Sequence, residues 1–224
     1  MQSYHFTLTG KTSLIMHQDS IDWTDFIDEW RANPSNKPYL TKAKGDDRAP
    51  GFVWFGFLYH DGTHIAIPTD NLMRALRDGA AKISKGSGKE TFKRQSQSGM
   101  GIQPHALLLY GANQQPIPIA PFQALADRQE RAFMVHRQAA RDHGFDIFAK
   151  RARIGKAKHI RARPIFHQWT VSGTVTVWDD TITPVVVRQM FELTGTLVGL
   201  CDWRPAAPEA PGHYGLFDVT LEAA

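Results

Sequence analysis

The sequence predicts an α+β fold in which an open sheet is backed by two helices. Three observations carry this. Strict apolar–polar alternation marks both ends of the chain, two interior segments carry an apolar stripe at helical spacing, and the irregular stretches fall between these elements. With those stretches set aside, the order is strand, helix, strand, strand, helix, strand.

In "SYHFTLTGKTSLIMH", Tyr4, Phe6 and Leu8 alternate with His5, Thr7 and Thr9, and apolar positions resume at Leu14 and Met16. This reads as a long first strand bent at Gly10. Residues 18–52 read as an excursion, with an amphipathic piece (Trp23, Phe26, Ile27, Trp30) before a polar stretch. "FVWFGFLYHDGTHIAIP" reads as an inserted hairpin around Asp61-Gly62, a dipeptide suited to positive φ. "IPTDNLMRALRDGAAKI" begins a helix capped by Thr69 or Asp70, with Leu72, Leu76, Ala80 and Ile83 on one stripe, and the glycines of "SKGSGK" end it.

"ALLLYG" at 106–111 predicts a short buried strand inside a basic insertion spanning 84–162, which has no clean period between Pro116 and Ile160. Alternation returns after Arg163, with Trp169, Val171, Val175 and Val177 on one face. Thr183 caps a second helix, Pro184 is pre-set for its first position, and Gly195 and Gly199 let it lie close on a sheet. Phe217, Val219 and Leu221 alternate in the last strand. Taken as one domain over 1–224, this order predicts a ferredoxin-like (RRM-like) core with a hairpin and long basic loops inserted. One sheet face is left free, a surface on which single strands often bind.

An apolar fraction of 42% with six tryptophans supports a real core and argues against disorder. Cys201 is the single cysteine, so the chain holds no internal disulfide and no thiolate cluster, as suits a cytoplasmic protein. No signal peptide and no membrane-spanning run is legible. Residues 82–94 and 137–163 hold 14 of the 26 Lys and Arg but only three of the 22 Asp and Glu. An acidic body with two basic segments is the distribution of a polyanion binder.

Three stretches resemble the repeat-associated mysterious proteins, the RAMP superfamily of CRISPR-associated RNA-binding subunits. They are the opening strand "FTLTGKTSLIMH", the helix start "IAIPTDNLMRALRDGA" and the closing loop "VGLCDWRPAAPEAPGHYGLF". Ile67, Pro68, Leu72, Leu76 and Arg77 match the superfamily's first helix, while Thr69-Asp70-Asn71 replaces its usual small-residue cap. The closing loop stands where those proteins carry a glycine-rich loop, with Cys201 and three prolines in place of some glycines. It is also similar to a group of short phage-encoded proteins. The resemblance implies a scaffold that binds single-stranded RNA, or DNA, with the long basic insertion acting as a thumb, self-associates into a filament or higher oligomer, and joins other ribonucleoprotein subunits.

The residues expected to touch the strand are Lys85, Lys89, Lys93 and Arg94 in the first basic segment, and Arg137, Arg141, Lys150, Arg151, Arg153, Lys156, Lys158, Arg161 and Arg163 in the second. On extended chain, Arg151 and Arg153 share a face, as do Arg161 and Arg163, which suits phosphate tracking. The connection from Gly199 to Gly215 is far longer than the roughly 4–6 residues a compact unit uses. In it Trp203 and Arg204 stack on and clamp a nucleotide, with His213 or Tyr214 as a second platform; alternatively Trp203 plugs the core edge and Arg204 pairs with Asp202. His17 and Asp19 are the candidates for the alternative function, a metal-dependent or His-dependent endoribonuclease. No paired metal-ligand spacing and no phosphate-loop pattern is present, so no cofactor is expected.

Overall fold

Alternation in the opening stretch forms β1 (Gln2–Gly10), which buries Phe6 and Leu8. The structure is a computed structural model that describes every residue except 41–44, 87, 155–156 and 209–210, and only the backbone of 153, 154, 157 and 158. Beyond the bend at 11–13, β2 (Leu14–Ile15) joins a different sheet. The excursion contains α1 (Ile21–Ala32), whose N-cap Ser20 accepts a hydrogen bond from the Trp23 N–H and which buries Ile27 and Trp30. Then come β3 (Ala66–Pro68), α2 (Thr69–Ala80), α3 (Lys93–Ser98), β4 (Met100–Gln103) and β5 (Ala106–Leu108). They are followed by α4 (Ala120–Asp127), α5 (Phe133–Asp142), β6 (Asp146–Ile154), β7 (Ala157–Phe166), β8 (Thr170–Val177), α6 (Pro184–Leu193) and β9 (Phe217–Ala223).

The fold is α+β with antiparallel sheets. The main sheet has the order β4-β8-β1-β9, and α2 and α6 cover the face that carries Phe6, Leu8, Val171 and Val175. Thr183 caps α6 as expected, its hydroxyl accepting from the Val186 N–H, with Pro184 at the first helical position. Gly195 explains how close this element comes to the sheet: a Cβ there would stand 2.2 Å from the Phe217 carbonyl oxygen. Gly199 has a different task, ending the wider turn Thr194–Val198 with φ at 75°, a conformation glycine adopts without strain.

Several expectations need correction. The apolar run Val53–Phe57 is a 3-10 helix rather than a strand arm, so of the expected hairpin only the Asp61-Gly62 turn and a short antiparallel pairing of 59–60 with 65–66 exist. Its side chains join an aromatic cluster with Trp23, Phe26 and Trp30 of α1, which rewards a tight turn more than an extended arm. The strand beside β8 in the main sheet is β4, whereas Ala106–Leu108 pairs with β3. The 84–162 insertion as drawn therefore contains a core strand. α2 is capped at Pro68, not by a Thr69 or Asp70 side chain, and ends at Ala80, before the glycines. The rest of the supposed irregular basic loop is α4, α5 and a long ribbon of β6 and β7 that joins β2 in a second sheet.

The free face of the main sheet is polar and carries hydroxyls. Ser3 bonds Thr176, Thr7 bonds Ser172 and His5 bonds Thr174 across β1 and β8, with Asp218, Thr220 and Glu222 on the same face of β9. At its edge the exposed Trp178 ring lies over Gly101, which pairs with Thr176 on this face. Among the described residues, no helix is long and apolar enough to cross a membrane.

Candidate functional site

Three parts of the chain meet at a cleft of about 560 Å³: the end of the first strand, the β6–β7 ribbon and the closing loop. His17 follows β2, Arg161 and Arg163 stand on β7, and Asp202 and Trp203 come from the loop. The opposite wall is Trp23, Thr24, Ile27, Asp28 and Arg31 of α1, with Val53 and Phe57 beside it. The long connection is thus explained by where it runs. Asp202 donates its N–H to the Ile15 carbonyl and Gly215 donates to Ser13, so the loop lies along β2 and reaches the cleft.

Asp47 fixes the floor. Its N–H bonds the Ile160 carbonyl, and its two carboxylate oxygens accept from Arg161 at 3.1 Å and Arg163 at 3.0 Å. Only 4% of the Asp47 side chain and 9% of Arg163 is exposed, so this is a buried pair. The Arg163 guanidinium also lies 4.0 Å over the Phe57 ring. Arg163 therefore holds the cleft together instead of facing a phosphate. Arg137 and Arg141 both grip Asp146, at 2.7 Å and 3.0 Å, and tie α5 to the root of the ribbon. Burial alone would raise the Asp146 carboxyl, but the two guanidiniums outweigh it and hold it below the usual carboxylate range.

His17 sits between Arg163 and Asp202. A guanidinium only donates, so Nε2 accepts from Arg163 at 3.4 Å and Nδ1 carries the proton, 3.8 Å from Asp202. Burial and the Arg163 charge lower its pKa, against the upward pull of Asp202, Asp19 and Asp47. His136, fully buried, is lowered mainly by burial; its Nε2 donates to the Glu130 carbonyl at 2.7 Å and Nδ1 has no partner. Both imidazoles are neutral in the folded chain, with pKa values below their ordinary 6.5. The stability they contribute is complete above about pH 6.5 and is lost as pH falls through the lower folded values. A thermal midpoint that is flat near neutrality and declines below about pH 6.5 is expected, with a shallower decline for His136→Gln. A midpoint that rises on acidification would contradict this assignment.

Trp203 is half-buried at a backbone φ of 50°, and Cys201 has φ of 60°, so the loop holds two non-glycine residues in the left-handed region. The Trp203 ring meets Phe148 edge-on at 6.2 Å and Tyr214 at 6.1 Å, and His213 stacks on Tyr214 at 4.7 Å. Lys150 Nζ lies 5.4 Å from the Trp203 centroid. Lys150 pairs with Arg161 across the ribbon and so shares its face, whereas Arg151, paired with Ile160, falls on the other. Lys150 and Arg151 are exposed.

Arg204 turns inward to α2, with Nη2 at 3.6 Å from Asp78, and not to Asp202. Lys85, Lys89, Lys93 and Arg94 are exposed, but they precede β4 and none lines the cleft, so the two basic segments are not brought together there. Lys156 lies outside the described residues, as do the side chains of Arg153 and Lys158. Asp19 is exposed beside the cleft mouth without lining it. Among the described residues no group of three or more His, Cys, Asp or Glu is placed to hold a metal. Sequence reasoning missed Asp47, Trp23, Phe57, Asp28 and Arg31; the only signal for the first was an Asp46-Asp47 doublet amid lysines.

No protein-family model matches the chain, and no curated protein matches it.

Proposed function

We propose that this chain is a single-stranded nucleic-acid-binding scaffold of the RAMP type, with RNA the favoured strand, that self-associates along it. The observation that carries the reading is the convergence of the ribbon, the first-strand end and the closing loop on one aromatic-walled cleft, with exposed Lys150 beside Trp203 and exposed Arg151 on the other face of the same ribbon. Cations that track phosphates next to rings that stack on bases are what a single strand needs. The core supports the same reading. A sheet order of β4-β8-β1-β9 with α2 and α6 on one face fits a ferredoxin-like core, and the ribbon fits a thumb. Other ribonucleoprotein subunits are the further partners this reading implies.

His17, held between Asp202 and Arg163 inside the cleft, favours the second reading, an endoribonuclease of the same fold. Incubation with labelled single-stranded RNA, with and without magnesium, separates the two. The scaffold reading expects intact RNA, retained binding in Asp19→Ala, and particles larger than a monomer by light scattering when the RNA is long. Cleavage abolished by His17→Ala or Asp19→Ala would establish the enzyme instead. A sharp monomer on saturated long RNA would remove self-association.

A further inference from the structure

We propose that the cleft takes a single unpaired guanine base, and that Asp28 and Arg31 of α1 read its edge. This rests on the single-strand reading above and adds what that reading leaves open, namely which base the site prefers.

The cleft is a poor phosphate site. Among the described residues, three lining arginines, Arg31, Arg161 and Arg163, face three lining aspartates, Asp28, Asp47 and Asp202, so their charges balance with His17 neutral. Two of the aspartates are already committed. Asp47 gives both oxygens to Arg161 and Arg163, and Asp202 gives one to the Trp203 N–H and turns the other to His17. The unmatched cations, Lys150 and Arg151, are outside on the ribbon. Phosphates therefore belong on the ribbon, and what fits between Trp23, Phe57 and Trp203 is a flat, uncharged ring. A volume of about 560 Å³ holds a nucleotide base with room for its sugar.

The polar face of the cleft then decides which ring. Thr24, Asp28 and Arg31 recur at helical spacing along α1. The Asp28 carboxylate is 71% exposed, and the Arg31 guanidinium lies 3.9 Å from it, steadied by a bond from Nη2 to the Ala49 carbonyl. A carboxylate and a guanidinium side by side offer two acceptors next to a fork of donors. Guanine matches both: its N1–H and N2–H donate to one carboxylate, and O6 and N7 accept from one guanidinium. Adenine and cytosine each offer a carboxylate only one exocyclic amine, and uracil offers one ring N–H. Guanine alone fills both groups with paired bonds.

The test is anisotropy with a labelled oligouridylate of about fifteen residues carrying one central guanosine, adenosine, cytidine or uridine. One good bidentate contact discriminates by about 1–3 kcal/mol, so the guanosine strand is expected to bind about 5- to 150-fold more tightly than the others. Asp28→Asn, at an exposed position, should fold normally and cut the guanosine preference at least about fivefold, and Asp28→Asn combined with Arg31→Ala should bring all four strands to within about twofold. Equal binding of all four by the unaltered protein would overturn the guanine pocket and leave single-strand binding standing. A guanosine preference that is unchanged in Asp28→Asn, or that survives the double change, would overturn the assignment to this pair. Failure of every strand to bind would overturn both.

Discussion

Asp47→Ala is expected to cost about 3–5 kcal/mol of folding stability, the range for stripping one partner from a buried ion pair. The change leaves Arg163, 9% exposed, without its hydrogen-bonded carboxylate and with only the charge of Asp202 to offset its own, and removes the bond that holds Arg161 to the cleft floor. The remaining neighbours do not replace the carboxylate: the Ala162 carbonyl takes one N–H, Phe57 covers the guanidinium face, and neutral His17 accepts weakly at 3.4 Å. Against a total stability of about 5–15 kcal/mol, such a loss is large. The double change Asp47→Leu with Arg163→Met should recover most of it, because the desolvation cost of both charges disappears together. Denaturant midpoints of Asp47→Leu, Arg163→Met and the double measure the coupling. A loss under about 1 kcal/mol in Asp47→Ala would mean that water already supports Arg163 as a surface pair.

Trp203→Ala should weaken single-strand binding by about 1–3 kcal/mol, the contribution of one base stacked on an aromatic ring. Stability should fall little. The ring is half-buried and makes edge and tilted contacts with Phe148 and Tyr214, not the enclosure of a core residue. The loop is held independently of that ring, by backbone bonds from Leu200 to Gly215, Ala206 to Val198 and Gly212 to Arg204. A stability loss of about 1 kcal/mol, or about 2–4 °C in Tm for a chain of this size, is the expected ceiling. A loss of about 3–5 kcal/mol with binding unchanged would show that Trp203 only closes the fold.

Much of the core was legible because its elements bury one face each. β1, β8 and β9 show the two-residue period, and α2 and α6 show their stripes, with Thr183 and Pro184 marking where the second begins. Val53–Phe57 was misread because a short aromatic run carries no period to distinguish a strand from a tight helix. The ribbon was missed for the opposite reason. Toward its outer part, Lys150 and Arg151 are both exposed on opposite faces, so apolar alternation vanishes while the backbone pairing persists. Of the site, His17, Arg161 and Trp203 were named from sequence, whereas the pairing of Asp47 with two arginines more than a hundred residues away left no local mark. Arg204 looked like a ligand contact because a Trp-Arg-Pro loop gives no hint that Asp78 waits on α2.

The salt dependence of single-stranded RNA binding, compared between the unaltered protein and Lys150→Ala with Arg151→Ala, tests the ribbon and cleft as the binding surface most directly. On a single strand each neutralised phosphate contributes a slope of about −0.7 in log affinity against log salt. The double variant should flatten the slope by about 0.7–1.4 while its unfolding transition stays in place, since both side chains are exposed. An identical slope in the folded double variant would take the ribbon out of the interface.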